Sequence, residues 1–343
     1  MKVVKLPNYN ILIDNHFSDY NDFLLSISKN SQIFVVTDEN VFSLYRETLE
    51  KKISNKDIKW YILKPGDETK NSENVLKIFD FLFENDAKRN DILISFGGGV
   101  ITDITGLVAS TYLRGINLVH IPTTIIGQID SSIGGKTSIN YRNHKNVIGT
   151  FYDPKLIICE TDYLKTLPER EIINGLGELI KTGFIGDEHI LKYIKTYQSL
   201  SASELIERAV NVKKEYVVKD YYDKSVRNIL NFGHTVGHAI EAASNFEIPH
   251  GQAVIFGMKK ALQVGVSLKI TNIKLLAEMN ILIRLMGYEM PNITFKEYER
   301  FLYKDKKSNQ TGVRFVLLEE MNRPIIKVMS WEELKNELVN TEK

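Results

Sequence analysis

Asp91-Ile92-Leu93-Ile94-Ser95-Phe96 runs directly into Gly97-Gly98-Gly99, then into Val100-Ile101-Thr102-Asp103 and a helical pattern. The short apolar run reads as a strand, and the glycines behind it as a tight turn into a helix. Glycine lets the main chain come close to a pyrophosphate. The first turn of a helix offers N–H groups that have no intrahelical partner. The spacing is not GxGxxG, so the usual dinucleotide fingerprint is absent. Taken alone, the segment fits a plain strand-to-helix turn as well as a phosphate cradle.

The same rhythm surrounds it. Asn10–Ile13, Gln32–Thr37, Lys59–Leu63, Asn117–Ile121 and Leu156–Glu160 are rich in branched and aromatic residues, and Asn40–Lys52 and Ser72–Lys88 are amphipathic at helical spacing. Strands alternating with helices indicate a mostly parallel, doubly wound sheet, in which ligands bind beyond the carboxyl ends of the strands. Three further polar loops follow strands: Thr37-Asp38-Glu39-Asn40, Pro65-Gly66-Asp67-Glu68-Thr69-Lys70 and Pro122-Thr123-Thr124. An acidic side chain in such a loop can accept ribose hydroxyls, so together these loops favour a nucleotide. After Glu160 the pattern turns helical, over Pro168–Lys181, Glu188–Tyr197, Ser203–Lys219, Val226–Ser244, Gly251–Lys269 and Ile273–Met286. Arg314–Leu318 and Pro324–Val328 read as a hairpin, and Ser330 with Glu333 as a capping box. The expected fold is an α/β Rossmann-like domain over residues 1–165, followed by a mainly α-helical domain over 166–343.

With 44 Lys and Arg against 43 Asp and Glu, the net charge is +1. No broad positive field is available for nucleic acid or an anionic membrane, although a local basic patch for a small anion is allowed. A single cysteine, Cys159, excludes an intramolecular disulfide framework and cysteine-rich zinc modules. No run reaches the ~18 apolar residues of a membrane span, and the first residues lack a signal-type apolar stretch. A cytoplasmic protein is expected.

Ile133-Gly134-Gly135-Lys136-Thr137 imitates the end of a P-loop, but Asp130 stands where that motif needs glycine. Lys136 can still meet a phosphate as a point charge. In the helical half, Asn231-Phe232-Gly233-His234-Thr235-Val236-Gly237-His238 leads to Glu241, and Pro249-His250-Gly251 follows. His234 and His238 share a helix face, as do Glu178 and Lys181 upstream. Two histidines and a glutamate from separate helices form a plausible catalytic zinc set with one position open. Spacing leaves undecided which two histidines join Glu178.

Long ordered segments resemble the 3-dehydroquinate synthase family: GGGVITDITGLVASTYLRG, HIPTT, DSSIGGKTSIN, KNVIGTFYDP, LKTLPERE, GELIKTG, RNILNFGHTVGHAIE, HGQAV and the DKK ending at Lys307. Other sugar-phosphate cyclases share almost the whole plan. Metal-dependent, NAD-linked alcohol dehydrogenases of the glycerol-dehydrogenase type share the glycine loop and a metal-bearing helical domain. The resemblance implies NAD and Zn2+ (or Co2+) as cofactors. It also implies conversion of 3-deoxy-D-arabino-heptulosonate 7-phosphate to 3-dehydroquinate and phosphate, a step toward chorismate and the aromatic amino acids. The chemistry would be transient oxidation by NAD, β-elimination of phosphate, reduction and intramolecular aldol closure. The α/β domain would hold NAD, and the helical domain the metal and substrate.

Carried over residue by residue, the metal ligands would be Glu178, His234 and His250, with His238 facing the substrate. NAD would meet Asp38, Asp67, Lys70, Gly98, Gly99, Val100, Asp103, Thr123, Thr124, Lys136, Lys145, Tyr163, Leu164, Lys165 and Thr166. The substrate and its chemistry would fall to Asp130, Lys136, Asn146, Asn174, Lys181, Lys213, Asp223, Arg227, Asn231, His238 and Lys306. Arg114 would reach a neighbouring subunit's site, which implies a homodimer. The sequence departs from the family pattern in two places. Asp67 with Glu68 replaces a single glutamate, and Tyr221 and Asp223 stand where acids of the DExExGxR stretch are usual.

Overall fold

The computed structural model describes residues 1–53, 57–142, 144–196, 202–288, 291, 293–302 and 312–342. The chain divides into two compact units, Met1–Leu167 with Ser201–Tyr222, and Pro168–Leu200 with Asp223–Lys343.

The first unit holds strands β1 (Lys2–Lys5), β2 (Asn10–Asp14), β3 (Ile33–Asp38), β4 (Ile58–Leu63), β5 (Ile92–Gly97), β6 (Asn117–Pro122), β7 (Lys136–Tyr141), β8 (His144–Phe151) and β9 (Leu156–Glu160). Seven of them form a sheet in the order β1-β2-β9-β6-β5-β3-β4. All its pairings are parallel except the edge pair β1–β2. Helices α1 (Asn21–Ile27), α2 (Glu39–Lys52), α3 (Ser72–Glu84) and α4 (Gly99–Thr111) connect its strands. Successive side chains of a strand point to opposite faces, and both faces are covered. Ile33, Val35, Ile92 and Ile94 enter one core with Tyr20 and Leu24. Phe34, Val36 and Leu93 enter the other, with Ile78 and Ile104. This two-sided burial explains the unbroken apolar runs of β3 and β5.

β7 and β8 form a separate antiparallel hairpin that the sequence reading missed. Lys136 is therefore the first residue of a strand. A P-loop lysine sits at the start of a helix, so the structure agrees with rejecting that motif. α4 lies close on this hairpin: a Cβ at Gly106 would come 2.7 Å from Thr137 Cγ2.

The second unit holds α5 (Glu169–Ile185) and α6 (His189–Lys195). The next helix, α7 (Ser203–Lys219), belongs to the first unit, unlike the expected division at residue 165. Its Lys213 pairs with Asp130, and Lys2 reaches its Glu207. The second unit resumes with α8 (His234–Ala243), α9 (His250–Ser267), α10 (Ile273–Leu285) and α11 (Phe295–Leu302). It ends with hairpin β10 (Val313–Glu320) and β11 (Arg323–Met329), then α12 (Trp331–Asn340), whose cap is Ser330 accepting from the Glu333 N–H. The expected single helix over Val226–Ser244 is in fact two pieces. A 3-10 turn over Val226–Asn231 ends at Gly233, whose φ of 81° starts α8 afresh. Among the described residues, no helix is long and apolar enough to cross a membrane.

Candidate active site

In the second unit, α5, α8 and α9 approach unusually closely because glycines face each other. A Cβ on Gly177 of α5 would lie 2.4 Å from Gly251 Cα of α9, and one on Gly257 of α9 only 2.0 Å from the Gly233 carbonyl. Side chains one residue away from these contacts are thereby drawn together. Glu178 Oε1 lies 3.3 Å from His234 Nε2 and 3.3 Å from His250 Nε2. The His238 ring joins them, 5.1 Å from the His234 ring and 5.6 Å from that of His250, centre to centre.

The second nitrogen of each ligand-type histidine is committed elsewhere. His234 Nδ1 lies 3.3 Å from the Phe232 carbonyl oxygen, and His250 Nδ1 lies 3.1 Å from Glu241 Oε2. Both partners only accept, so each Nδ1 carries a proton, and Nε2 is the ring atom that each histidine turns toward Glu178. Glu178 itself is buried. Lys181, one turn on, forms an ion pair with it. Burial disfavours a charged Glu178, but Lys181 and the His234 and His250 rings more than offset this and hold it well below the usual carboxylate range. Burial also disfavours protonated His250, yet Glu178 and Glu241 raise it to about 9. Burial and Lys181 push His234 down. A buried carboxylate facing the Nε2 atoms of two imidazoles, each braced through its Nδ1, fits a divalent cation of the zinc type. His234, His238 and His250 also satisfy the spacing of a metal cluster, so geometry admits both ligand sets.

The sequence reading gave Glu241 no role. It lies seven residues beyond His234 on α8, two helical turns on, and that spacing is the signal that could have found it. Asn174, expected to touch substrate, accepts from the Gly251 N–H at 3.1 Å and so braces the start of α9 beside His250. Arg227 is buried, Asn231 is exposed, and Asp223, with φ of 55°, accepts from Asn228 Nδ2. The expected Lys306 lies outside the described residues.

In the first unit, the glycine turn forms the start of α4. Gly98, Gly99 and Val100 are partly exposed, and α4 has no side-chain cap. A Cβ at Gly98 would come 3.0 Å from Thr124 Cγ2, and one at Gly99 3.2 Å from Ser131 Oγ. A Cβ at either position would be crowded, and the bare main chain at the start of a helix suits close approach of a pyrophosphate. Thr123 is anchored by its N–H on the Gly97 carbonyl, and Thr124 Oγ1 accepts from the Gly127 N–H. The Asp38 carboxylate caps α2, accepting from the Asn40 and Val41 N–H groups, and burial raises its pKa.

Lys70 is buried and donates to Asp103 Oδ2 and Asn146 Oδ1, both at 2.5 Å. A residue expected at the substrate is thus joined to two expected at NAD. Asp67 receives Asn140 Nδ2 at 3.1 Å and faces Lys145 at 3.6 Å. Lys136 is exposed, and Asp130 pairs with Lys213. Arg114 is exposed with φ of 62° just beyond α4, the far end from Gly98.

Two tyrosines, Tyr163 and Tyr221, are held by other side chains. The Tyr163 side chain faces the core. It is buried, with its hydroxyl 3.1 Å from that of Tyr20, which in turn donates to Glu160 of the buried Lys52–Glu160 ion pair. Leu164 is buried beside it, while Lys165 pairs with Asp162 and Thr166 meets the Tyr45 hydroxyl. Tyr221, standing at a usually acidic position, donates to Asp153 at 3.0 Å and packs over Gly135. It acts there as a packing group and brings no charge.

Residues 60–174 match the family described as 3-dehydroquinate synthase N-terminal, and residues 175–308 the one described as 3-dehydroquinate synthase C-terminal. The 3-dehydroquinate synthase of Clostridium tetani is 39% identical over 340 residues, covering 93% of this chain and 88% of that protein. A solved 2-epi-5-epi-valiolone synthase from Streptomyces hygroscopicus, with NAD+ and Zn2+ bound, superposes with a TM-score of 0.86 at 25% identity, covering 100% of this chain and 99% of that one. A 2-deoxy-scyllo-inosose synthase complexed with carbaglucose-6-phosphate, NAD+ and Co2+ superposes with a TM-score of 0.84 at 21% identity, covering 97% and 96%.

Proposed function

The chain belongs to the 3-dehydroquinate synthase family, and from that premise we propose that it converts 3-deoxy-D-arabino-heptulosonate 7-phosphate to 3-dehydroquinate and inorganic phosphate. The observation that carries this reading is the convergence of Glu178, His234 and His250, with His238 beside them. NAD+ and Zn2+ in the valiolone synthase and NAD+ and Co2+ in the inosose synthase support the cofactor assignment.

Bound NAD would supply reversible hydride acceptance at the C5 carbon, and a bound metal would supply Lewis acidity toward the neighbouring oxygens. Glu178, His234 and His250 hold the metal in this reading. The choice of Glu178 over His238 rests on burial: Glu178 is a buried anion that a cation would neutralise, whereas His238 is exposed. An exposed imidazole can instead move a proton to or from a substrate oxygen. Lys181 holds the Glu178 charge in place. The starts of α4 and of the loops at Thr123–Thr124 and Asp67–Lys70 bind and orient NAD.

The substrate carries a carboxylate and a phosphate, so cationic side chains are needed despite the near-neutral chain. Lys136, Lys213, Arg227 and Lys306 fill that role with Asp130, Asn146, Asn174, Asn231 and Asp223. The reading includes a homodimer in which Arg114 acts in trans. A helix the length of α4 spans about 20 Å, which separates Arg114 from its own glycine cradle. The test is incubation with the heptulosonate phosphate, NAD and zinc. Zinc-dependent release of phosphate, with a carbocyclic product identified by mass and chromatography, is expected. A zinc-loaded protein that releases no phosphate would refute the reading.

A further inference from the structure

The register of β7 and β8 shifts between Ile139 and Tyr141, so Asn140 sits at an irregularity in the ladder. Such irregularities re-aim a residue and cluster beside functional sites. Here the Asn140 N–H leaves the ladder and donates to the Lys70 carbonyl at 2.8 Å. The side chain works in both directions. Its Nδ2 donates to Asp67, to the carbonyl at 3.3 Å and to Oδ2 at 3.1 Å, while its Oδ1 accepts from the Asn146 N–H at 3.1 Å.

Asn146 is held from several sides. Its φ is 58°, in the left-handed region where an L-residue is held only at some cost. Its Oδ1 is fixed by Lys70 Nζ at 2.5 Å and Ser138 Oγ at 3.0 Å. Asn140 therefore closes a ring that runs through Asp67, Lys70 and Asn146. An amide side chain can donate to a carboxylate through its NH2 and accept from an N–H through its oxygen at the same time.

We propose that Asn140 is a positioning residue for the reaction, fixing Asp67 and Asn146 against one another so that the NAD-facing loop and the substrate-facing amide are set together. The proposal rests on the functional reading above, which places Asp67 at NAD and Asn146 at the substrate.

The experiment measures NAD binding by titration calorimetry on the zinc-loaded protein, without substrate. Asn140→Asp keeps the acceptor for Asn146 but sets a second carboxylate against Asp67, and should weaken NAD binding about tenfold. Asp67→Asn restores a donor to that pair with the roles reversed. Adding Asn140→Asp to Asp67→Asn should therefore cost less than about threefold beyond Asp67→Asn alone, a non-additivity that a merely structural role would not produce. Asn140→Ala, which releases Asn146 as well, should also lower kcat about tenfold at saturating NAD. Wild-type NAD affinity in Asn140→Asp, or losses in the double variant that simply multiply, would overturn the proposal. A parent protein that binds no NAD would overturn the cofactor reading and this proposal with it.

Discussion

Gly251→Ala adds one methyl group where α9 meets α5. The new Cβ would lie 2.3 Å from the Ile173 carbonyl oxygen and 2.6 Å from both Cα and the carbonyl oxygen of Asn174. All three are main-chain atoms, so no side chain can swing aside. Restoring ordinary contact requires the start of α9 to retreat by about 1 Å. That movement carries His250 away from Glu178 and strains the Asn174 brace on the Gly251 N–H. Metal–ligand distances tolerate only about 0.2 Å, so the displacement exceeds the allowance several-fold. Overpacking of this kind costs about 1–3 kcal/mol of stability, which a folded protein of this size can survive. Zinc affinity, measured by competition with a chromophoric chelator, should fall at least about tenfold while the far-ultraviolet circular dichroism stays unchanged. A Gly251→Ala protein that binds zinc as tightly as the parent would refute the idea that glycine-permitted helix contact builds the ligand set.

Glu241→Gln removes the charge that orients His250, and zinc affinity measured in the same competition should drop about 10- to 100-fold. Ile94→Ala, in the central strand where Ile94 is fully buried, should destabilise the first unit by about 2–5 kcal/mol in denaturant unfolding. Lys136→Ala should nearly abolish phosphate release. Mixing that protein with an equally inactive Arg114→Ala protein should restore activity in exchanged dimers, and no recovery after verified exchange would count against an Arg114 supplied in trans.

The parallel sheet was legible because each central strand is buried on both faces, which turns β3, β5 and β9 into continuous apolar runs. The β7–β8 hairpin was not, because β8 is almost wholly exposed and carries no apolar alternation to read. Helical spacing identified α7 correctly but could not say which core Leu205, Ile206 and Val210 would enter, since periodicity gives a face and not a neighbour. Gly233 broke an expected helix by adopting a positive φ, a choice that glycine permits without announcing. At the metal cluster, the glycines beside His234, His238 and His250 pointed to the place. The Phe232 carbonyl is local to His234, whereas the pairing of His250 Nδ1 with Glu241 depends on α8 and α9 lying side by side. Asn140 had no signal of its own, because its role comes from a register shift.

The central claim is that this chain uses NAD as a catalyst and not as a co-substrate. The most direct measurement supplies NAD at a concentration well below that of the heptulosonate phosphate, with zinc present, and follows phosphate release and NADH fluorescence in the same cuvette. The account predicts phosphate released in large excess over total NAD, with no net accumulation of NADH. NADH rising in step with product, or phosphate release stopping at one equivalent of NAD, would contradict it.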